Sequence, residues 1–154
     1  ARIASRCALL PDFRLVVMRA LSAHMGEDRD PMGSTWSGVL HRWARSVRHM
    51  REPAAVGELL VLPHRVVEFG AGDCDDIALA VAAMAAHVGL PAGILSLWTG
   101  PASAHHVAVV GGAWYGREAV AEPRIVIDPE RPNTVSALEP PYRFGRLFPV
   151  TLER

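Results

Sequence analysis

Cys74 stands in the run Gly72-Asp73-Cys74-Asp75-Asp76, directly ahead of an Ala-rich apolar stretch. His106 leads the run Val107-Ala108-Val109-Val110, and Asp128 closes Ile125-Val126-Ile127. Cysteine, histidine and aspartate in that order, each at the edge of a regular element, are what thiol-based acyl transfer requires. A free thiol, with a reference pKa of about 8.5, is mostly protonated near neutral pH. A helix N-terminus favours the thiolate through its unpaired N–H groups and roughly half a positive charge, and a protonated histidine favours it further. The same N–H groups can stabilise an oxyanion. The candidate catalytic residues are therefore Cys74 as nucleophile, His106 as base and acid, and Asp128 as the carboxylate that orients the imidazole.

Two histidines are adjacent, and neighbours on a strand point to opposite faces, so only one of His105 and His106 is expected to face Cys74. The apolar run that follows favours His106. Asp73 suits an N-cap, and Asp75 and Asp76 suit a first helical turn, where carboxylates complement the helix dipole. These are structural roles, although three carboxylates would raise the thiol pKa unless engaged elsewhere. Cys7 reads as a packing residue on a helix face. A zinc site could draw on Cys74, His105 or His106, Asp128 and His64, but no Cys-x-x-Cys or His-x-x-x-His pair supports it. The aspartates also miss the glycine and distal glutamate of a calcium-binding loop. No metal and no cofactor are expected.

The elements that must position these residues follow from periodicity. Phe13, Val16, Val17, Ala20 and Leu21 recur at helical spacing after Pro11, giving a helix to about Met25. Residues 26–33 read as a loop, and Ser34 or Thr35 could cap a second helix with the stripe Trp36, Val39, Leu40, Trp43 and Val47. His41, Arg42, Arg45, Arg48 and His49 fall on its other, solvated face, and Pro53 ends it. Residues 54–70 lack clean periodicity and read as a surface loop, at most with a short strand. A helix from Cys74 to about Val88 then stops at Gly89 and Pro91, and its Ala, Val, Ile, Leu and Met interior implies burial on most sides. Strands follow at 92–98, 105–110, 114–115 and 124–128, and Gly111-Gly112 is a hairpin turn. Residues 131–154 read as an irregular, Pro-rich C-terminal wrap.

A chain of 154 residues suits one domain that can bury a sizeable core. Acidic and basic residues balance at 16 each, so no global field argues for nucleic acid or a membrane surface as partner. Every basic residue other than histidine is arginine, and the chain has neither lysine nor glutamine. With 2 cysteines there is no disulfide framework, and a reduced, cytoplasmic setting is expected, or synthesis there followed by packaging into an assembly. No apolar run approaches the ~18 residues that span a bilayer.

The string GDCDDIALAVAAMAAHVGLPA resembles the nucleophile helix of the transglutaminase-like cysteine peptidase superfamily, and HVAVV and VIDP resemble its histidine and aspartate strands. WSGVLHRWARSVRH is similar to the helix that precedes them, so the resemblance covers roughly residues 34–130. It implies an α+β, papain-like domain with the cysteine helix packed on an antiparallel sheet, and a triad of Cys74, His106 and Asp128. The sequence departs from the pattern at Ala108, where many members carry an aromatic residue. It also lacks the upstream glutamine that often completes the oxyanion hole, leaving Trp36, Trp43 or His64. The implied activity is hydrolysis of a peptide or amide bond in a protein or peptide substrate. Amine transfer would need foreign substrates for both halves, since this chain has neither glutamine nor lysine. The alternative is a structural or interaction subunit of a larger assembly, for example a phage particle.

Overall fold

The computed structural model describes residues 4, 6, 8, 10–25, 36–51, 60–100, 103–110, 113–115, 119–121, 125–129 and 144–150. The expectations for Cys7, for residues 26–33, for the Ser34 or Thr35 cap and for Gly111-Gly112 lie outside them, whereas the second helix stops at Ser46 and Arg48–His49 form a strand, well before Pro53. Helix α1 spans Pro11–Ser22, with proline in its first turn, where its missing N–H costs nothing. Phe13, Val17 and Leu21, four residues apart, form its buried stripe. Helix α2 spans Trp36–Ser46 and buries Val39, Leu40, Trp43 and Ala44. Two residues expected on its solvated face are also buried, His41 at 7% exposure and Arg42 at 9%. Arg42 reaches back to α1's end, donating from Nε and Nη2 to the His24 carbonyl at 3.1 and 2.9 Å. A fixed guanidinium can be buried when its donors are used in this way.

Residues 54–70 hold a helix that periodicity missed, α3 at Pro63–Phe69. At seven residues it is too short to display a repeat, but Pro63 starts it and Gly70, at φ 61°, ends it in the left-handed region that glycine adopts freely. Two short strands, β1 (Arg48–His49) and β2 (Ala71–Gly72), pair in parallel and tie the end of α2 to the residues just before Asp73.

Helix α4, Cys74–His87, is the centre of the molecule. Every residue from Asp76 to Ala86 is buried. It ends at Gly89, φ 81°, where the Gly89 and Leu90 amides bond to the Ala86 and Ala85 carbonyls at 3.1 and 2.9 Å. Against it lies a four-stranded antiparallel sheet in the order β7-β4-β3-β8, formed by β3 (Ala92–Gly100), β4 (Ser103–Val110), β7 (Ile125–Ile127) and β8 (Phe144–Val150). A separate hairpin pairs β5 (Ala113–Tyr115) with β6 (Ala119–Ala121). Strand β8 corrects the expectation of an irregular wrap beyond residue 130, because Phe144–Val150 pairs with β3 along its length. Pro149 is accommodated because β8 lies at the edge of this sheet, where proline is tolerated.

The sheet separates two apolar layers. Ile94, Ala108, Val110 and Ile127 join the helices in the main core, while Leu95, Leu97, Val107, Val109, Val126 and Leu147 form a second cluster on the opposite face. Fold class is therefore α+β, with the cysteine helix packed on an antiparallel sheet. No helix among the described residues is long and apolar enough to cross a membrane.

Candidate active site

The first turn of α4 is built by its own aspartates. The Asp73 side chain accepts from the Asp76 amide at 3.2 Å, and the Asp76 carboxylate faces the Asp73 amide at 3.5 Å, a capping box. Asp76, 2% exposed, also accepts from the Val61 amide at 2.7 Å, so it fastens the chain ahead of α3 to the same helix end. Gly72 is required here: a Cβ at that position would sit 2.9 Å from the Asp76 Cβ. Cys74 and Asp75 occupy the first two helical positions, whose amides have no carbonyl partner within the helix.

Cys74 is half-buried, and its Sγ lies 3.9 Å from His106 Nδ1. His105 Nε2 donates to Asp128 Oδ1 at 2.8 Å, and the Asp128 carboxylate is buried. Asp128 thus engages His105, not His106 as the sequence suggested. The reason is register. Ala108 pairs with Ile127, so the next residue, Asp128, falls opposite Val107 and shares a face with His105 two residues earlier. His106 shares its parity with Ala108 and Val110, on the side of α4.

His106 is the histidine at hydrogen-bond range of Sγ, as expected, and both histidines favour the thiolate electrostatically. Cys74 sits at the tip of α4 beside His106 on β4. Burial pushes the thiol up, but hydrogen bonding from His105 and His106 and the charge of His105 outweigh it, and the pKa falls to about 7. For His105, burial works against the cation, while hydrogen bonds to Asp128 and Cys74 and their charges raise its pKa to about 9. Between those two values the favoured state is thiolate beside imidazolium.

The nearby carboxylates prove less harmful than their number suggests. Burial, then a hydrogen bond to Asp73 and the charges of Asp73, Asp76 and Cys74, raise Asp75 to about 8. Asp75 keeps its proton at neutral pH and adds little negative charge beside the thiol. Cys74, Asp75 and His106 offer ligand atoms within 4.8 Å of one another, as do Asp73, Asp75 and Asp76. These are the groups among the described residues that could hold a metal ion. Trp43 is buried in the helical core and Trp36 packs against that core, so both are accounted for as packing residues.

Two open pockets deserve contrast. A groove of ≈ 670 Å³ between α1 and α3, lined by Leu15, Val16, Arg19, Ala20, Val67 and Glu68, contains no nucleophile and no histidine. A second, of ≈ 320 Å³, opens beside Cys74 and is lined in part by Asp75 and His106.

No family model matches the sequence, and no curated protein matches it significantly. Among solved structures the chain is similar to Legionella pneumophila LapG in its EGTA-treated form, with a TM-score of 0.55 and 15% sequence identity over 89% of this chain and 73% of that chain. The likeness is one of fold. It agrees with the papain-like, transglutaminase-like arrangement that the sequence motifs implied.

Proposed function

We propose that this protein is a thiol hydrolase that cleaves a peptide or amide bond through an acyl-Cys74 intermediate. The observation that carries this reading is the group of Cys74 at the N-terminus of α4, the adjacent His105 and His106, and the Asp128–His105 bond at 2.8 Å, with Cys74 Sγ 3.9 Å from His106 Nδ1. In this reading the Cys74 thiolate attacks the carbonyl carbon, and the Cys74 and Asp75 amides face the developing oxyanion. The His105 imidazolium gives its proton to the leaving amine as the C–N bond breaks, leaving a thioester. Neutral His105 then takes a proton from water, whose oxygen attacks the thioester. The acid product departs, and thiolate and imidazolium are restored. Asp128 accepts from His105 Nε2 and so fixes the ring's orientation and stabilises its cation. His106 is a second donor to the thiolate, and the role of base first read onto it passes to His105.

The test is iodoacetamide labelling of Cys74 as a function of pH, followed by mass spectrometry. Wild type should label with a midpoint near pH 7. His105→Ala should move that midpoint toward the ordinary thiol value of about 8.5, and His106→Ala should move it less. A wild-type midpoint above about 8 would sink the reading, since the thiol would then be unactivated.

A further inference from the structure

The ≈ 320 Å³ pocket beside Cys74 is more than a gap at the helix end. Its walls are apolar and come from separate elements: Leu79 one turn and a half along α4, and Ile94 on β3, both buried. Its rim is Leu60, 46% exposed, and Phe148 on β8. Two restraints hold that rim in place. The Val61 amide is tied to Asp76, and the Arg146 guanidinium lies 5.1 Å from the centre of the Phe148 ring. Register explains the rest, because Ile94 stands between Phe148 and Ala108 across three strands, and Ser96 between Arg146 and His106. Among the described residues the pocket thus lies over two adjacent rows of the sheet beside the first turns of α4. Its end nearest the thiol is polar, formed by Ser96, His106 and Asp75.

We infer that this pocket is the specificity subsite of the proposed hydrolase, and that it receives an uncharged aliphatic or aromatic side chain from the acyl half of a peptide substrate. The inference rests on Cys74 being the nucleophile. The acyl group becomes bonded to Sγ, and Asp75 and His106, which approach Sγ within 4.8 Å, line the same pocket. A side chain close to the scissile carbonyl therefore falls directly over Leu79, Ile94 and Phe148. A charged side chain of either sign would lose its water against Leu60, Leu79, Ile94 and Phe148. An apolar side chain instead removes its own surface and that of Leu60 and Phe148 from water.

Dipeptidyl fluoromethyl ketones bearing Gly, Leu, Phe, Asp or Arg at each of the two positions distinguish the outcomes, with the rate of Cys74 modification read by mass spectrometry. Leu or Phe at one position should modify Cys74 roughly tenfold or more faster than Gly, and Asp should be slower than Gly. Removing the rim in a Leu60→Ala, Phe148→Ala double variant should erase most of that preference while leaving the iodoacetamide rate unchanged. Equal rates for Leu, Gly and Asp with rapid iodoacetamide labelling would overturn the subsite and leave the nucleophile standing. Slow iodoacetamide labelling near pH 7 would overturn both.

Discussion

A thiolate and an imidazolium must coexist for Cys74 to act, and the two titrations define when they do. Cys74, lowered to about 7, gives up its proton first, and His105, raised to about 9, keeps its own longest. Peptide hydrolysis should therefore follow a bell in kcat/KM with limbs near pH 7 and near pH 9. Asp128→Asn removes the charge that holds the imidazolium, so its alkaline limb should move down and kcat should fall by orders of magnitude. An unchanged alkaline limb in that variant would show that His105 is not the group being titrated. Asp75 supplies a second, independent test. Its pKa is raised on folding, so the native state binds a proton that the unfolded chain releases, and stability falls as pH climbs from about 4 toward about 8. Asp75→Asn removes that dependence and should raise Tm at pH 8 by more than at pH 4. Sequence alone offered Cys74, Asp128 and the histidine pair as candidates, because their types and edges are visible in one dimension. It could not pair Asp128 with His105, since that depends on the β4–β7 register, and a shift of one residue reverses the assignment.

The helix end, more than the helix, is the element that builds the site. Asp73 and Asp76 close the cap, Gly72 lets the chain pass against Asp76, and β1–β2 fixes the approach from α2. Asp73→Ala should cost about 1 kcal/mol in chemical denaturation, the usual value of an N-cap. Gly72→Ala should cost about 1–3 kcal/mol, because the Cβ atom it meets at 2.9 Å belongs to a side chain anchored by two hydrogen bonds. Both variants should slow Cys74 labelling, since both loosen the turn that carries the thiol. These features were partly legible, the Asp73 cap and Gly89 stop in particular. Helix α3 was not, being only seven residues long, nor was strand β8, where glycine and proline at Gly145 and Pro149 mask an edge strand. Gly145 has a reason to be glycine: a Cβ there would meet Leu97 at 2.9 Å and Leu95 at 3.2 Å, in the second apolar cluster.

At the scale of the whole molecule, one buried helix carries both stability and reactivity, yet the two should separate. From Asp76 to Ala86 the helix is enclosed by α2, α3 and the sheet, and Met84 is among the largest of its fully buried side chains. Met84→Ala leaves a cavity in a core of small residues that cannot close over it, and should cost about 2–5 kcal/mol. Met84 sits almost three turns from Cys74, so below the lowered Tm the thiol should still label with a midpoint near pH 7. Cys74→Ala is the converse. It removes a half-buried atom at the helix tip and opens no cavity, but it takes away the thiolate partner of His105. A thiol with a lowered pKa contributes stability that is present at alkaline pH and lost as pH falls through about 7. Cys74→Ala should therefore match wild type at pH 5 and fall below it at pH 8, whereas Met84→Ala should lose the same amount at both. Urea denaturation of the two variants at pH 5 and pH 8 reads the difference. A pH-independent loss in Cys74→Ala would mean that the thiolate–imidazolium pair does not form in the folded protein.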